Sequence, residues 1–274
     1  MSLKPTQVRH PLRIPQELSR RAVARVREKI WRVLRLEYTL RSGVSIVVRN
    51  PSDWVIYNEI LVNGEYDRAI TRAIETSDRA EFRVLDLGAN VGYFVMRCAD
   101  LFLQSCRDKK LVVVAVEGSP ETHQELRARI ESQDLLRGTI CTVNGLVGER
   151  VGSARISNYV SHFGNSVIAE GNTSAPAVSV PYVDLSNLHQ FANGAVVDLL
   201  KCDIEGSEYA FLRNYADFLT RVRVAVFEFH KYGENVDEYR ELLESYGLKR
   251  EAVLRETSQF AIELYCRQVD RQPR

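Results

Sequence analysis

Polar residues stand where apolar runs end, and their types are those that bind and activate small molecules. Asp86 precedes a glycine turn at Gly88; Glu117 closes the run from Leu111, followed by Gly118 and Ser119; Asn144 and Gly145 close the run from Ile140. Asp203 and Glu205 follow Val196–Cys202, and Glu228 and His230 end the run from Val222. A carboxylate at a strand end beside a glycine turn suits a cationic ligand group and is a poor neighbour for a pyrophosphate. An acid such as Glu117 can accept from both ribose hydroxyls of an adenosine, and an amide such as Asn144 can reach an adenine edge. Asp203, Glu205 and His230 are candidate bases for a hydroxyl that must lose its proton as it reacts. An acid at a strand end also caps the next helix, and a lone histidine is commonly a satisfied surface residue. Five successive strand ends of this kind make the functional reading the stronger one.

The turn itself reads Asp-x-Gly-x-x-x-Gly over Asp86 to Gly92, between the strand pattern Phe82–Leu87 and helical spacing through Tyr93, Val95, Met96 and Ala99. Gly88 is expected to leave room for a ligand against the main chain, and the helix to aim free N–H groups over the turn. A dinucleotide site would carry G-x-G-x-x-G, which is missing, although Glu117 alone serves either kind of adenosine cofactor.

Apolar strands and helices alternate from Phe82 onward: strands at Leu111–Glu117, Ile140–Gly145, Val196–Asp203 and Val222–Phe229, and helices at Pro120–Ile130, Ser207–Tyr215 and Val236–Tyr246. Ser119 is the expected N-cap of the second helix, with proline at its first position. Leu248–Leu254 and Gln259–Arg267 read as a closing antiparallel pair. The alternation predicts an α/β fold with a mostly parallel sheet and helices on both faces, whose ligand lies beyond the carboxyl ends of the strands. Residues 151–182 break the rhythm and read as a hairpin insertion; its His162, Phe163, Asn165 and Ser166 suit a sugar or polyol, as loops often carry specificity.

Upstream, Glu17 to about Glu37 reads as an amphipathic helix, Tyr38–Arg49 as a hairpin around Gly43, and Trp54–Ile74 as helix interrupted at Asn63-Gly64. The expected division is a basic N-terminal part, 1–49, and a catalytic domain, 50–274. The chain of 274 residues carries a net charge of +1, with twelve Lys or Arg against three Glu in 1–49, so that the remainder is net negative. The basic helix is expected to dock on the acidic body or on a second subunit, forming a homo-oligomer; aromatics are not interleaved as a nucleic-acid platform requires, so no nucleic-acid partner is expected. No apolar run approaches a membrane span, the N-terminus lacks the apolar segment of a signal peptide, and five cysteines without C-x-x-C spacing suit a reducing compartment. A cytoplasmic protein is expected.

VLDLGANVGYF, VAVEGSPETHQEL, VSVPYVDLSNL, VDLLKCDIEGSEYAFL and VFEFH, in that order, resemble the FkbM family of methyltransferases dependent on S-adenosylmethionine (SAM). The most particular element is D-I-E-G-S-E; Gly118 stands where the family usually has proline. The resemblance runs from about Asn50 to Arg267. It implies a Rossmann-like class I methyltransferase fold with a seven-stranded sheet, SAM as cofactor with S-adenosylhomocysteine (SAH) as product, and O-methylation of a hydroxyl in secondary-metabolite or glycan assembly. It places Asp86, Gly88, Asn90, Gly92, Tyr93, Glu117, Gly118, Ser119, Asn144, Gly145 and Asp203 on the cofactor side, and Tyr66, in a pre-sheet element, on the acceptor side. Asp203, Glu205 and His230 remain unranked as base, since Asp203 can instead face the sulfonium. A metal-assisted variant would use Asp203, Glu228 and His230 on a divalent ion, less attractive because Mg2+ prefers oxygen ligands. A non-catalytic SAM-binding module and an NAD(P)-dependent oxidoreductase are the competing functions.

Overall fold

The computed structural model describes residues 29–31, 36–106, 108–157, 177–231 and 235–268. The alternating runs become strands β3 (Glu81–Leu87), β4 (Lys110–Glu117), β5 (Ile140–Asn144), β8 (Val197–Cys202), β9 (Val222–His230), β10 (Leu248–Glu256) and β11 (Phe260–Arg267). They form one seven-stranded sheet in the order β10-β11-β9-β8-β3-β4-β5. The pairs from β9 through β5 are parallel, and β11 runs antiparallel to both neighbours. The chain winds outward from β3 through β4 and β5, then returns to build β8 and β9 on the other side. The switch in winding direction therefore falls between β3 and β8, where an open α/β sheet leaves a crevice at its carboxyl edge.

Two cores form because strand side chains alternate faces. Phe82 and Val84 join Val113, Ala115, Leu199 and Val226 on one face. Leu85 and Leu87 join Val114, Val116, Leu200 and Phe227 on the other. The helix Tyr93–Ser105 (α3 below) packs in the first core, with α1 (Pro51–Tyr57) and α2 (Asp67–Thr76). The second core takes α5 (Glu208–Asn214), α6 (Ala216–Leu219) and α7 (Val236–Ser245). Helix α4 (Pro120–Glu131) has the expected cap, with the Ser119 hydroxyl accepting from the Thr122 N–H.

A π-helical turn, Asn58–Val62, extends α1 and ends before the break at Gly64. The hairpin around Gly43 is β1 (Leu36–Thr39) with β2 (Ser45–Val48), and its Val44 and Ile46 are buried in the first core. The expected helix to Glu37 is corrected here: Leu36 and Glu37 pair with Val48 and Val47 as strand. A β-prone Tyr38-Thr39 and the Gly43 turn favour strand pairing over the last helical turn. The earlier part of that helix lies outside the described residues, apart from the helical 29–31. The insertion is a two-stranded antiparallel ribbon of β6 (Ser153–Ser157) and β7 (Ala177–Pro181); His162, Phe163, Asn165 and Ser166 lie outside the described residues. Among the described residues no helix is long and apolar enough to cross a membrane.

Candidate active site

At the switch point the ends of β3 and β8 nearly touch. The Gly88 and Ala89 N–H groups both donate to the Val116 carbonyl, at 3.0 and 2.9 Å, and the Asp203 N–H donates to the Leu87 carbonyl at 3.1 Å. Gly88 has φ +74°, and a Cβ there would lie 1.7 Å from the Asp203 carbonyl oxygen. The space expected for a ligand at this Cβ is filled by the chain itself; the glycine is demanded by the contact between strands. Gly92 is likewise a packing position, since a Cβ would meet Leu126 of α4 at 2.6 Å.

Asp86 and Lys201 are register partners on β3 and β8, so their side chains share a face. The Lys201 ammonium donates to the Gly88 carbonyl at 2.8 Å and lies 3.4 Å from Asp86 and 3.2 Å from Asp203. Asp86 is fully buried. Burial pushes its pKa up to about 6 against the opposing pull of Lys201. The cation beside Asp86 is thus an internal lysine, and not the ligand group that the sequence led us to expect. Burial works against the charge on Lys201, but Asp86 and Asp203 outweigh it and raise its pKa.

Two clefts meet over this floor, sharing Gly88, Asp203 and Glu205. The smaller, of about 520 Å³, is an apolar slot between Val116, Leu146, Val147 and Ile156, with Glu117, Gly118, Ser119 and Gly145 along its edge. Glu117 accepts from the Asn90 N–H at 2.9 Å and from the Ser119 N–H at 2.8 Å. Burial raises its pKa to about 7, against those two hydrogen bonds. A Cβ on Gly118 would lie 2.8 Å from the end of Leu146, so the glycine lets that side chain close on the turn. Asn144 does not face the slot: its amide donates to the Glu117 and Gly118 carbonyls at 2.9 and 3.1 Å and fixes the turn.

The larger cleft, of about 800 Å³, is lined by Asn90, Tyr93, Phe94 and Lys201 on the sheet side. Glu59, Ile60, Glu65, Tyr66, Glu228, Arg255 and Phe260 form the far wall. The Tyr93 hydroxyl is committed elsewhere, donating to the Val47 carbonyl at 3.0 Å. The Tyr66 hydroxyl donates to Glu228 Oε2 at 3.2 Å. Burial, then the charge of Asp203, raises the Glu228 pKa, and the same two causes raise that of Glu205. Glu205 sits at φ +53°, a conformation rare for a side-chain-bearing residue.

His230 stands behind these acids, buried and outside both cleft linings. Its Nδ1 is 3.0 Å from Glu208, and its Nε2 is 3.6 Å from Glu205, 3.9 Å from Glu228 and 4.0 Å from Asp203. Burial alone would lower its pKa, but the hydrogen bond and charge of Glu208, with Asp203 and Glu205, raise it to about 9. Asp203, Glu228 and His230 also place one ligand atom each within 4.8 Å of one another, so they could hold a metal ion.

Lys201, Glu208 and Arg255 escaped the sequence reading. A lysine two positions before Asp203 in a largely apolar run was a signal for the first, and the final acid of D-I-E-G-S-E for the second. Nothing local marks Arg255, which reaches Glu59 and Glu65 at 2.9 and 3.0 Å from the far end of the chain.

A family model described as the methyltransferase FkbM domain matches residues 86–249. Solved structures match over most of the chain at low identity. Magnesium protoporphyrin IX methyltransferase from Synechocystis PCC 6803, with SAM bound, shares 13% identity and a TM-score of 0.46 over 89% of this chain and 96% of its own. A SAM-dependent methyltransferase from Agrobacterium tumefaciens shares 13% identity and a TM-score of 0.47, over 85% and 70%. TrmK from M. capricolum, in complex with SAH, shares 10% and a TM-score of 0.40, over 73% and 67%. No curated protein matches the chain in sequence.

Proposed function

Because the chain belongs to the FkbM family of SAM-dependent methyltransferases, we propose that it methylates a hydroxyl group of a small molecule or sugar. The observation that carries this reading is the junction of the two clefts at Gly88, Asp203 and Glu205. One cleft has the shape and lining for a nucleoside, and the other ends in carboxylates that can take a proton.

The residues fit the cofactor. The slot between Leu146, Val147 and Ile156 offers apolar faces for adenine, and Glu117 lies at its edge for the ribose hydroxyls. Each Glu117 oxygen keeps a lone pair beyond its backbone bond. The polar edge of Asn90 and Asp203 lies toward the methionine end. Bound SAM supplies an electrophilic methyl group on a sulfonium. The chain must hold the acceptor oxygen in line with it and exclude water.

Glu228 is the base we assign. It faces the larger cleft; Tyr66 occupies Oε2, while Oε1 lies 3.9 Å from His230 Nε2, beyond hydrogen-bond distance, and can take the acceptor proton. Its raised pKa brings it toward the value an efficient base needs near neutral pH. His230, with a pKa of about 9, is protonated at neutral pH and serves as the positive charge behind Asp203, Glu205 and Glu228. Asp203 lines both clefts and faces the sulfonium side. A metal-assisted reading is favoured by one observation, the convergence of Asp203, Glu228 and His230.

SAH release over a panel of alcohols and sugars tests both. Glu228→Gln should lower turnover by roughly 10²–10⁴ with SAH affinity held within a few-fold, and chelation should leave the wild type unchanged. Near-wild-type turnover in Glu228→Gln removes this base. Silencing by EDTA, with recovery on Mg2+ or Mn2+, replaces it with the metal.

A further inference from the structure

The insertion between β5 and β8 was expected to carry acceptor specificity, but its described strands turn toward the smaller cleft. Ile156 of β6 lines that cleft, and among the described residues none of the ribbon lines the larger one. The register pairs Ala154 with Val180 and Ile156 with Val178. These four share one apolar face, and Arg155 and Ser179 lie on the other. Ile156 is 3% exposed and Val180 1%, yet among the described residues neither belongs to either core of the sheet. The burial of Ile156 therefore serves the slot.

The root of the ribbon holds a second wall. The Leu146 N–H donates to the Pro181 carbonyl and the Val183 N–H donates to the Leu146 carbonyl, each at 2.9 Å, which bridges Leu146 to Tyr182 in parallel. Gly145 admits this contact, since a Cβ there would lie 2.2 Å from the Val183 side chain. Leu146 is thus pinned at both of its backbone groups, and the end of its side chain lies over Gly118, where a Cβ would come within 2.8 Å. Ile156, being β-branched, is stiff at its first side-chain torsion. The two walls are set before a ligand enters.

From this placement we infer that the ribbon belongs to the cofactor half of the site, and that Leu146 and Ile156 are specificity-determining contacts for the base of SAM and SAH. The inference rests on the nucleoside lying in the slot, as proposed above. A flat purine buries its faces against such side chains and gains free energy from the apolar area removed from water. An acceptor role would need the ribbon to reach the larger cleft, and the residues common to the two clefts, Gly88, Asp203 and Glu205, all lie at the ends of β3 and β8.

The test is titration calorimetry of the full chain with two ligands, SAH and methylthioadenosine, which keeps the adenosine and lacks the amino-acid end. Ile156→Ala and Leu146→Ala should each weaken both ligands by the same factor, about tenfold. Ile156→Val, which removes one methyl group, should weaken both by roughly two- to threefold and keeps the test open if an alanine variant melts early. Unchanged affinity in the three variants overturns the inference. So does a loss for SAH that methylthioadenosine does not share, or a wild type that binds SAH but not methylthioadenosine. Glu117→Ala separates this failure from that of the slot: if it alone weakens SAH, the nucleoside stays in the slot and the ribbon has no part in holding it. None of these measurements uses an acceptor, so the hydroxyl reading stands or falls apart from them.

Discussion

Lys201→Met removes the cation from a buried pair while preserving length and apolar volume. Asp86 has no exposure in the folded state, and Lys201 at 3.4 Å is the cation beside it. The move of Asp86 from an ordinary 3.8 to about 6 already corresponds to about 3 kcal/mol of unfavourable charging in the folded state. A raised carboxyl pKa means that the folded chain holds its proton more tightly than the unfolded one. The penalty is therefore absent at low pH and grows as pH rises through the carboxyl's own range to about 6. Without the lysine it grows further, because an unpaired buried charge costs about 3–5 kcal/mol. The variant should lose about that much stability near pH 8. Near pH 5, where Asp86 is largely neutral in wild type and variant alike, the loss should shrink to about 1–2 kcal/mol, chiefly the missing hydrogen bond to the Gly88 carbonyl. Urea unfolding at both values reads this as a midpoint shift of about 1–1.5 M at the higher pH. Adding Asp86→Asn should restore most of the loss near pH 8. Equal losses at the two pH values, or no recovery in the double variant, would refute the assignment of Lys201 as the counter-charge to Asp86.

Gly88→Ala should lower both melting temperature and SAH affinity, because its Cβ would strike the Asp203 carbonyl. Backbone strain and overpacking together amount to about 2–5 kcal/mol, and scanning calorimetry showing an unchanged melt would contradict the close approach. Glu117→Ala should weaken SAH by about 1.5–3 kcal/mol for each lost charge-assisted ribose hydrogen bond, and full affinity by titration calorimetry would move the ribose elsewhere. Turnover should rise with pH as Glu228 loses its proton, with the acid limb above the ordinary glutamate range. In Glu208→Gln, which removes a negative charge from beside His230, that limb should move; a pH–rate profile identical to wild type would separate Glu208 from the site.

The order of strands and helices was legible because apolar runs alternate with helical spacing, capped at Ser119-Pro120. The strand ends were legible too, and Asp203, Glu205 and Glu117 line the two clefts. Partners across strands were not legible. Asp86 meets Lys201 through the register of β3 on β8, a relation between positions more than a hundred residues apart. Asn144 read as a ligand amide because its commitment to two carbonyls follows from a turn geometry invisible in sequence. The surroundings of His230, four carboxylates from the stretch 203–208 and from β9, exist only after folding.

Most of the far wall of the larger cleft lies outside the stretch that matches the family. Glu59, Ile60, Glu65 and Tyr66 precede the stretch that matches the family, residues 86–249, and Arg255 and Phe260 follow it. The matched stretch contains the glycine turn, the slot and the acids of β8 and β9, Glu228 among them, while the rest of the surface opposite is drawn from flanking sequence. Insertions or exchanges in those flanks can therefore diversify what is admitted without disturbing the parallel strands. Two members of the lineage that agree closely over the central stretch need not share an acceptor, and the flanks are where their divergence should be sought.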